Sequence, residues 1–134
     1  MIYVDSSIGL AVLFAENRQP PPEIWSLSLI SSRLFEYEIM NRVNARNLGP
    51  SGVGAARILF QTVDLLDLSP AVLARALEPF PVQVRALDAL HLASIEFLRA
   101  RGAEVSLATY DRRMIVAARA LAIPIFDVGP SAAV

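Results

Sequence analysis

Four carboxylates stand where a predicted strand passes into a predicted helix, or within the first turns of that helix. They are Asp5, Glu36, Asp88 and Asp111. Carboxylate oxygens are the ligands that Mg²⁺ and Mn²⁺ prefer, whereas zinc and copper favour cysteine and histidine. Carboxylates gathered at one place repel each other unless a cation offsets their charge. The pattern therefore predicts an oxygen-only site for Mg²⁺, with Mn²⁺ as a substitute, suited to hydrolysis at phosphorus.

The composition excludes most other chemistries. All 12 basic residues are arginine, and the chain has no lysine, no cysteine and one histidine. A P-loop nucleotide site and a Schiff base both need lysine, and cysteine nucleophiles, disulfides and iron–sulfur clusters need cysteine. A multi-histidine metal site cannot form, and a Ser-His-Asp triad would have to use His91. The net charge of −1 provides no overall basic field, so nucleic-acid contact would need local arginine clusters.

Strand and helix signals alternate along the chain. Strands are predicted at residues 2–4, 27–30, 65–68, 104–109 and 124–128, and helices at 6–14, 33–46, 53–65, 70–77, 85–101 and 111–121. Ser6 or Ser7 is expected to cap the first helix, with Asp5 as the alternative, Ser31 or Ser32 the second, and Ser69 the fourth. This alternation predicts an α/β fold, in one domain over residues 1–134, with a short, mostly parallel sheet flanked by helices. Ligands bind such sheets beyond the carboxyl ends of the strands, where the four acids are expected.

Four segments, in this order and spacing, resemble the acidic motifs of the PIN-domain ribonucleases. They are MIYVDSS, SSRLFEYE, LDALHLA and TYDRRM. The compact length is similar to that of the VapC toxins of bacterial toxin–antitoxin modules, and the resemblance covers essentially the whole chain. It implies a PIN-like three-layer fold in which Asp5, Glu36, Asp88 and Asp111 bind the metal and carry catalysis. The implied activity is that of a Mg²⁺-dependent endoribonuclease.

The resemblance also implies supporting residues and partners. Ser7 stands where many family members have asparagine, and it keeps a shorter hydrogen-bonding group. Thr109 matches a hydroxyl position that supports the acid two residues later. Arg112 and Arg113 either contact RNA phosphate or form a solvated helix face. The implied partners are the RNA substrate and a cognate antitoxin protein, in a homodimer or a toxin–antitoxin hetero-oligomer.

Two residues near the expected site have competing interpretations. Glu36 is preferred over Glu38 as the site acid, because the apolar residues beside it can face the core while Glu36 faces the carboxyl edge of the sheet. His91 follows Asp88 by three residues, and a hydrogen-bonded structural role is preferred over a general-base role. The helix over residues 33–46 is expected to use as its apolar positions Leu34, Tyr37, Ile39, Met40 and Val43. Surface or turn positions are expected for Asp64, Asp67 and Asp127.

Two other classes of function share part of this sequence pattern. A non-catalytic PIN-like module that binds RNA or protein would be marked by the loss of one acid, and none is lost. A haloacid-dehalogenase-type phosphatase or a phospho-receiver also places an aspartate after the first strand, but both rely on a lysine that this chain lacks. No apolar run approaches the ~20 residues needed to span a bilayer, and no signal peptide is recognisable. A cytoplasmic protein without membrane contact is therefore expected.

Overall fold

One parallel sheet organises the computed structural model, which describes residues 1–129. Its strands are β1 (Ile2–Val4), β2 (Leu29–Ser32), β3 (Asp64–Leu66) and β4 (Ser106–Ala108). They lie in the order β3-β2-β1-β4, and each neighbouring pair is parallel. The last predicted strand, over residues 124–128, is reduced to a single parallel bridge between Ile125 and Leu107. The predicted α/β class is confirmed.

Helices cover both faces of this sheet. They are α1 (Ser6–Leu13), α2 (Arg33–Ala45), α3 (Gly49–Gln61), α4 (Pro70–Leu77), α5 (Ala86–Ala100) and α6 (Arg112–Ala120), with a short 3-10 helix over Pro22–Ser26. Within residues 1–129, none of these helices has both the length and the apolar character needed to cross a membrane.

Side-chain oxygens begin several of these helices. The hydroxyl of Ser32 accepts a hydrogen bond from the Leu34 amide at the start of α2, and Ser69 caps α4 as the sequence predicts. The cap of α1 is the alternative residue rather than either serine. It is Asp5, whose carboxylate accepts from the Ser7 amide, because Asp5 is the last extended residue before the helix. The first helix therefore starts from one of the candidate site acids.

Several element boundaries differ from the sequence prediction, and two of the shifts have a local cause. Strand β2 runs over Leu29–Ser32 rather than residues 27–30, because the 3-10 helix occupies the chain up to Ser26. Helix α3 begins at Gly49 rather than residue 53, because Pro50 fits the first helical turn, where its missing N–H is not needed. Both shifts leave the order of the elements unchanged.

The core lies in two layers, one on each face of the sheet. Val4 on β1 packs with the apolar side chains of α1, α2 and α3, whereas the preceding Tyr3 packs with those of α5 and α6. On β4, Ala108 and Leu107 divide between the two layers in the same way. Because successive strand residues face opposite sides, the structure has the three layers that a PIN-like fold predicts.

The register of β1 and β4 positions the candidate site. Ile2 pairs with Ser106 and Val4 with Ala108, so the next residues of the two strands, Asp5 and Thr109, lie side by side at the carboxyl edge. Helix α1 then crosses α2 and α3 closely at Gly9. A β-carbon added at Gly9 would lie 2.9 Å from side-chain atoms of both Ile39 and Phe35. This close crossing holds the start of α1 against the sheet edge.

Candidate active site

A cavity of about 540 Å³ opens at the carboxyl edge of the sheet. Five carboxylates and three guanidinium groups line it, from Asp5, Glu16, Glu38, Asp88 and Asp111 and from Arg18, Arg42 and Arg85. Three of the four predicted acids, Asp5, Asp88 and Asp111, therefore meet in one place although β4 follows β1 by about a hundred residues along the chain. The cavity has an excess of negative groups.

Glu36 does not reach this cavity. Its carboxylate lies 3.5 Å from Nη1 of Arg33 on the same helix and is 40% exposed. Glu38 takes its place on the cavity wall, with a side chain that is 22% exposed. The structure thus places Glu38, and not the predicted Glu36, on the wall of the cavity.

The rotation of α2 explains this correction. At about 100° per residue, position 38 projects between positions 34 and 35, which are both buried. Glu38 is therefore carried on the inner face of α2, where it meets the sheet edge. Tyr37, which the sequence interpretation counted among the apolar positions, is instead 60% exposed. Phe35 and Ile39 are buried as the sequence interpretation expects, but this arrangement turns Glu38 rather than Glu36 toward the cavity.

Asp5 is the most enclosed acid of the cavity. Only 5% of the residue is exposed, and its carboxylate accepts hydrogen bonds from the Ser7 amide at 3.1 Å, the Ser7 hydroxyl and the Thr109 hydroxyl. Burial raises the pKa of the Asp5 carboxyl above its ordinary value, while the two hydroxyl donors oppose that rise. Asp5 is therefore rigidly held and costly to keep ionised without a nearby cation.

Two hydroxyl groups tie the ends of β1 and β4 together. The Ser7 hydroxyl, which donates to Asp5, accepts from the Tyr110 amide at 2.9 Å. The Thr109 hydroxyl, which also donates to Asp5, accepts from the Asp111 amide at 2.9 Å. Each hydroxyl thus acts as donor and acceptor at once. The supporting roles expected of Ser7 and Thr109 agree with these bonds.

His91 is buried between the sheet and the cavity, with 2% of the residue exposed. Its Nδ1 lies 2.7 Å from the Tyr3 hydroxyl, and its Nε2 lies 2.6 Å from Oε1 of Glu38. Burial raises the pKa of the Tyr3 hydroxyl, so that group stays protonated and can donate to Nδ1. The ring hydrogen then sits on Nε2 and is donated to Glu38. His91 contacts Glu38 directly, so its hydrogen bonds hold the acid in place.

Arg85 spans two acids from different elements. Its Nε donates to Oδ2 of Asp88 at 3.0 Å, and its Nη2 donates to Oδ2 of Asp111 at 2.7 Å. These hydrogen bonds and the two negative charges raise the pKa of Arg85 further above its ordinary value. Asp111 uses its other oxygen to cap α6 by accepting from the Arg113 amide at 2.9 Å. The two carboxylates thus share one guanidinium of their own protein.

A second, shallower groove of about 620 Å³ adjoins the acid cavity. Arg85 and Asp88 line both spaces, and the groove wall continues through Val82, Gln83, Val84, Arg112, Arg113 and Val116. Arg112 and Arg113 are exposed, and within residues 1–129 neither forms an ion pair. The groove therefore presents positive charge and apolar surface directly beside the acids.

Sequence comparison places this geometry in a known family. The family model for the PIN domain matches residues 2–120. The chain belongs to the PIN-domain family. It is 33% identical to ribonuclease VapC46 of Mycobacterium tuberculosis (strain ATCC 25618 / H37Rv), over 97% of this chain and 98% of that protein. It is 30% identical to ribonuclease VapC47 of M. tuberculosis (strain CDC 1551 / Oshkosh), over 89% of this chain and 90% of that protein. The predicted resemblance to a VapC-type PIN ribonuclease is confirmed.

The donor atoms of this PIN domain fit a hard divalent cation. The cavity acids are carboxylates, and the chain contains no cysteine. Oxygen donors of this kind suit Mg²⁺ or Mn²⁺ rather than softer metals. Within residues 1–129, however, no three acidic or histidine side chains are already gathered as a metal-binding group. Arg85 pairs with Asp88 and Asp111, and His91 holds Glu38, so a cation would compete with these contacts for the acids.

Sequence reasoning also missed Arg85, a residue of the cavity wall that contacts two of the acids of this PIN domain. Arg85 precedes Asp88 by three residues, which is the spacing of neighbours on one helix face. That spacing alone could have identified its contact with Asp88. The contact with Asp111 joins residues 26 positions apart and depends on how α5 and α6 pack. No local pattern predicts it.

Proposed function

We propose that this PIN domain is a Mg²⁺-dependent endoribonuclease that hydrolyses phosphodiester bonds in RNA. The observation that carries the proposal is the convergence of Asp5, Glu38, Asp88 and Asp111 on one cavity at the carboxyl edge of the sheet. The match to the PIN-domain family and the ribonuclease names of the M. tuberculosis relatives support it. A divalent cation held there would supply positive charge at the scissile phosphate and make water a stronger acid.

The side chains of the cavity have separable roles in this proposal. Asp5 and Asp88 are the most direct cation ligands, and Asp111 and Glu38 complete the acidic wall. The Ser7 and Thr109 hydroxyls hold Asp5 at both of its oxygens. Water attacks phosphorus, the bond from phosphorus to the 3′-oxygen breaks, and that oxygen leaves with the electron pair and takes up a proton. The products are a 5′-phosphate and a 3′-hydroxyl end.

The two glutamates of α2 provide a matched test of the cavity. Glu38→Gln removes a charge from the cavity wall, whereas Glu36→Gln makes the same change two residues away at a surface ion pair. Cleavage of a single-stranded RNA at saturating Mg²⁺ is expected to fall about 100-fold or more in E38Q, the range for losing one positioned group. E36Q is expected to stay within about twofold of the parent protein. Equal effects of the two substitutions would refute the assignment of Glu38.

Asp5→Asn tests the metal-binding acids themselves. It removes the charge while keeping the size of the side chain, so cleavage is expected to disappear with the fold intact, as judged by circular dichroism. Chelation of divalent ions with EDTA is expected to abolish cleavage, and added Mg²⁺ or Mn²⁺ to restore it. RNA cut at the parent rate by D5N, or in excess EDTA, would contradict the proposal. Sequencing of the RNA ends identifies the target and checks the 5′-phosphate.

We further propose that the protein is the toxin of a type II toxin–antitoxin module. The support is the VapC name of its relatives. The expected partner is a small cognate antitoxin that covers the acid cavity, in a toxin–antitoxin complex or on a toxin homodimer. Induced expression of the chain alone is expected to arrest bacterial growth, and co-expression of a short neighbouring gene to relieve the arrest. Growth arrest that D5N also causes would contradict a toxic activity based on RNA cleavage.

A further inference from the structure

Arg85 occupies the place where the cation of the proposed nuclease would bind. Its guanidinium lies between Oδ2 of Asp88 and Oδ2 of Asp111, at 3.0 and 2.7 Å. The Asp88 and Asp111 side chains are 16% and 29% exposed, whereas that of Arg85 is 55% exposed. The acids are thus fixed in the cavity wall, and the arginine reaches them from the solvent side.

A divalent cation and this guanidinium compete for the two carboxylates. Like charges a few ångströms apart repel strongly, and an oxygen that accepts from Arg85 has fewer lone pairs for a cation. The absence of a preassembled three-acid group in residues 1–129 agrees with this conflict. Binding of a cation therefore weakens the contacts of the Arg85 side chain with Asp88 and Asp111.

The adjoining groove offers the Arg85 side chain a second position. Arg85 lines this groove as well as the cavity, and Arg112 and Arg113 line the groove too. The backbone of Arg85 caps the start of α5, where its carbonyl accepts from the Ala89 amide at 2.9 Å, so only the side chain needs to move. A guanidinium can donate two parallel hydrogen bonds to a phosphate group, as it does to a carboxylate. A phosphodiester chain in the groove would meet three arginines.

We propose that Arg85 exchanges between two partners: it pairs with Asp88 and Asp111 in the metal-free protein, and it binds a phosphate of the RNA strand once a cation has taken the acids. The inference rests on the proposed nuclease function for the identity of the phosphate. Arg85 then keeps the acid site from holding unpaired charges, and it couples cation binding to substrate binding.

The exchange predicts opposite effects of one substitution on two measurements. Arg85→Gln removes the competitor for the carboxylates, so Mn²⁺ affinity measured by calorimetry without RNA is expected to rise about tenfold, the scale of two partly exposed ion pairs. The same variant loses a phosphate contact, so the KM for single-stranded RNA at saturating cation is expected to rise about fivefold to tenfold, with a smaller change in kcat. A purely structural role of Arg85 would not produce changes of opposite sign.

Arg33 is the matched control. It is also about half exposed, and it also spans two carboxylates, those of Glu36 and Asp67, but it lies away from the cavity. Arg33→Gln is expected to change neither Mn²⁺ affinity nor KM. Unchanged or weaker Mn²⁺ binding by R85Q overturns the exchange, and tighter Mn²⁺ binding with an unchanged KM overturns the phosphate contact. A parent protein that binds Mn²⁺ but cuts no RNA would instead refute the nuclease function while leaving the calorimetric comparison valid.

Discussion

Thr109→Val tests how much of the fold depends on the hydrogen bonds around Asp5. Valine keeps the branched shape of threonine but has no hydroxyl, at a position that is 1% exposed. The substitution removes the donor to Asp5 and the acceptor of the Asp111 amide. A hydrogen bond to a charged group contributes about 1.5–3 kcal/mol, and a buried amide left without a partner costs about 1–3 kcal/mol. Because the Asp5 carboxylate and the Asp111 amide both bond to the same hydroxyl, the two contributions do not simply add. We expect the free energy of unfolding to fall by about 2–4 kcal/mol.

Urea denaturation at pH 7 in EDTA measures this loss. With a slope near 1.5 kcal/mol per molar urea, the expected loss lowers the midpoint by about 1–3 M. Thr62→Val is the control, because Thr62 is exposed and its hydroxyl donates only to the Leu59 carbonyl within its own helix end. T62V is expected to lose less than about 1 kcal/mol. Thr109→Ser, which keeps the hydroxyl, is expected to fall between the parent and T109V.

A T109V protein within about 0.5 kcal/mol of T62V would refute this reasoning. It would mean that the Thr109 hydroxyl contributes no more than a surface hydroxyl does, and that Asp5 and the Asp111 amide find other partners at no cost. A change in the slope as well as the midpoint would point to an altered denatured state rather than to the lost hydrogen bonds.

Three further predictions concern other parts of the same structure. Tyr3→Phe leaves Nδ1 of buried His91 without its donor, so the free energy of unfolding is expected to fall by about 1–3 kcal/mol in thermal or urea melts; no measurable loss would contradict the bond. Burial raises the pKa of Asp5, so the Asp5 carboxyl of the folded metal-free protein stays protonated to higher pH than it does in the unfolded chain. Its contribution to stability is therefore full below the ordinary aspartate pKa of about 3.9 and is lost as pH rises through the raised pKa. Urea midpoints between pH 4 and 7 in EDTA are expected to fall less steeply in D5N than in the parent, and parallel curves would refute the shift. Gly9→Ala places a β-carbon 2.9 Å from two core side chains and is expected to cost about 1–3 kcal/mol. Gly54→Ala, where a β-carbon meets nothing within 4 Å, is expected to stabilise the helix by up to about 1 kcal/mol. If G9A were more stable than G54A, the close crossing of α1 with α2 and α3 at Gly9 would be contradicted.

The sequence predicted the fold well because its signals are local. Ser32 and Ser69 cap helices where the sequence places them, and the alternation of strands and helices predicted the parallel sheet. From that sheet, the meeting of Asp5 with Asp111 follows, because each acid comes directly after a strand or one residue beyond it. Asp88 follows from its place in the first turn of α5.

The errors arose where a local pattern allows two solutions or where contacts are distant. Glu36 and Glu38 differ by about 200° around α2, and the choice between them depends on whether the intervening tyrosine faces inward. The sequence does not settle that orientation, because tyrosine is common both in cores and at surfaces. The bridge from Arg85 to Asp111 depends on the packing of two helices on one sheet face, and a single sequence carries no sign of it.

Asp5 and Asp111 are helix caps as well as site acids, and this joins the stability of two helix ends to the integrity of the cavity. The Asp5 carboxylate accepts a hydrogen bond from a first-turn amide of α1, and the Asp111 carboxylate accepts one from a first-turn amide of α6. Local opening of either turn would therefore displace an acid without unfolding the core, and such openings need less free energy than global unfolding. Mild denaturant is expected to inactivate the protein reversibly while the central strands stay protected from hydrogen exchange.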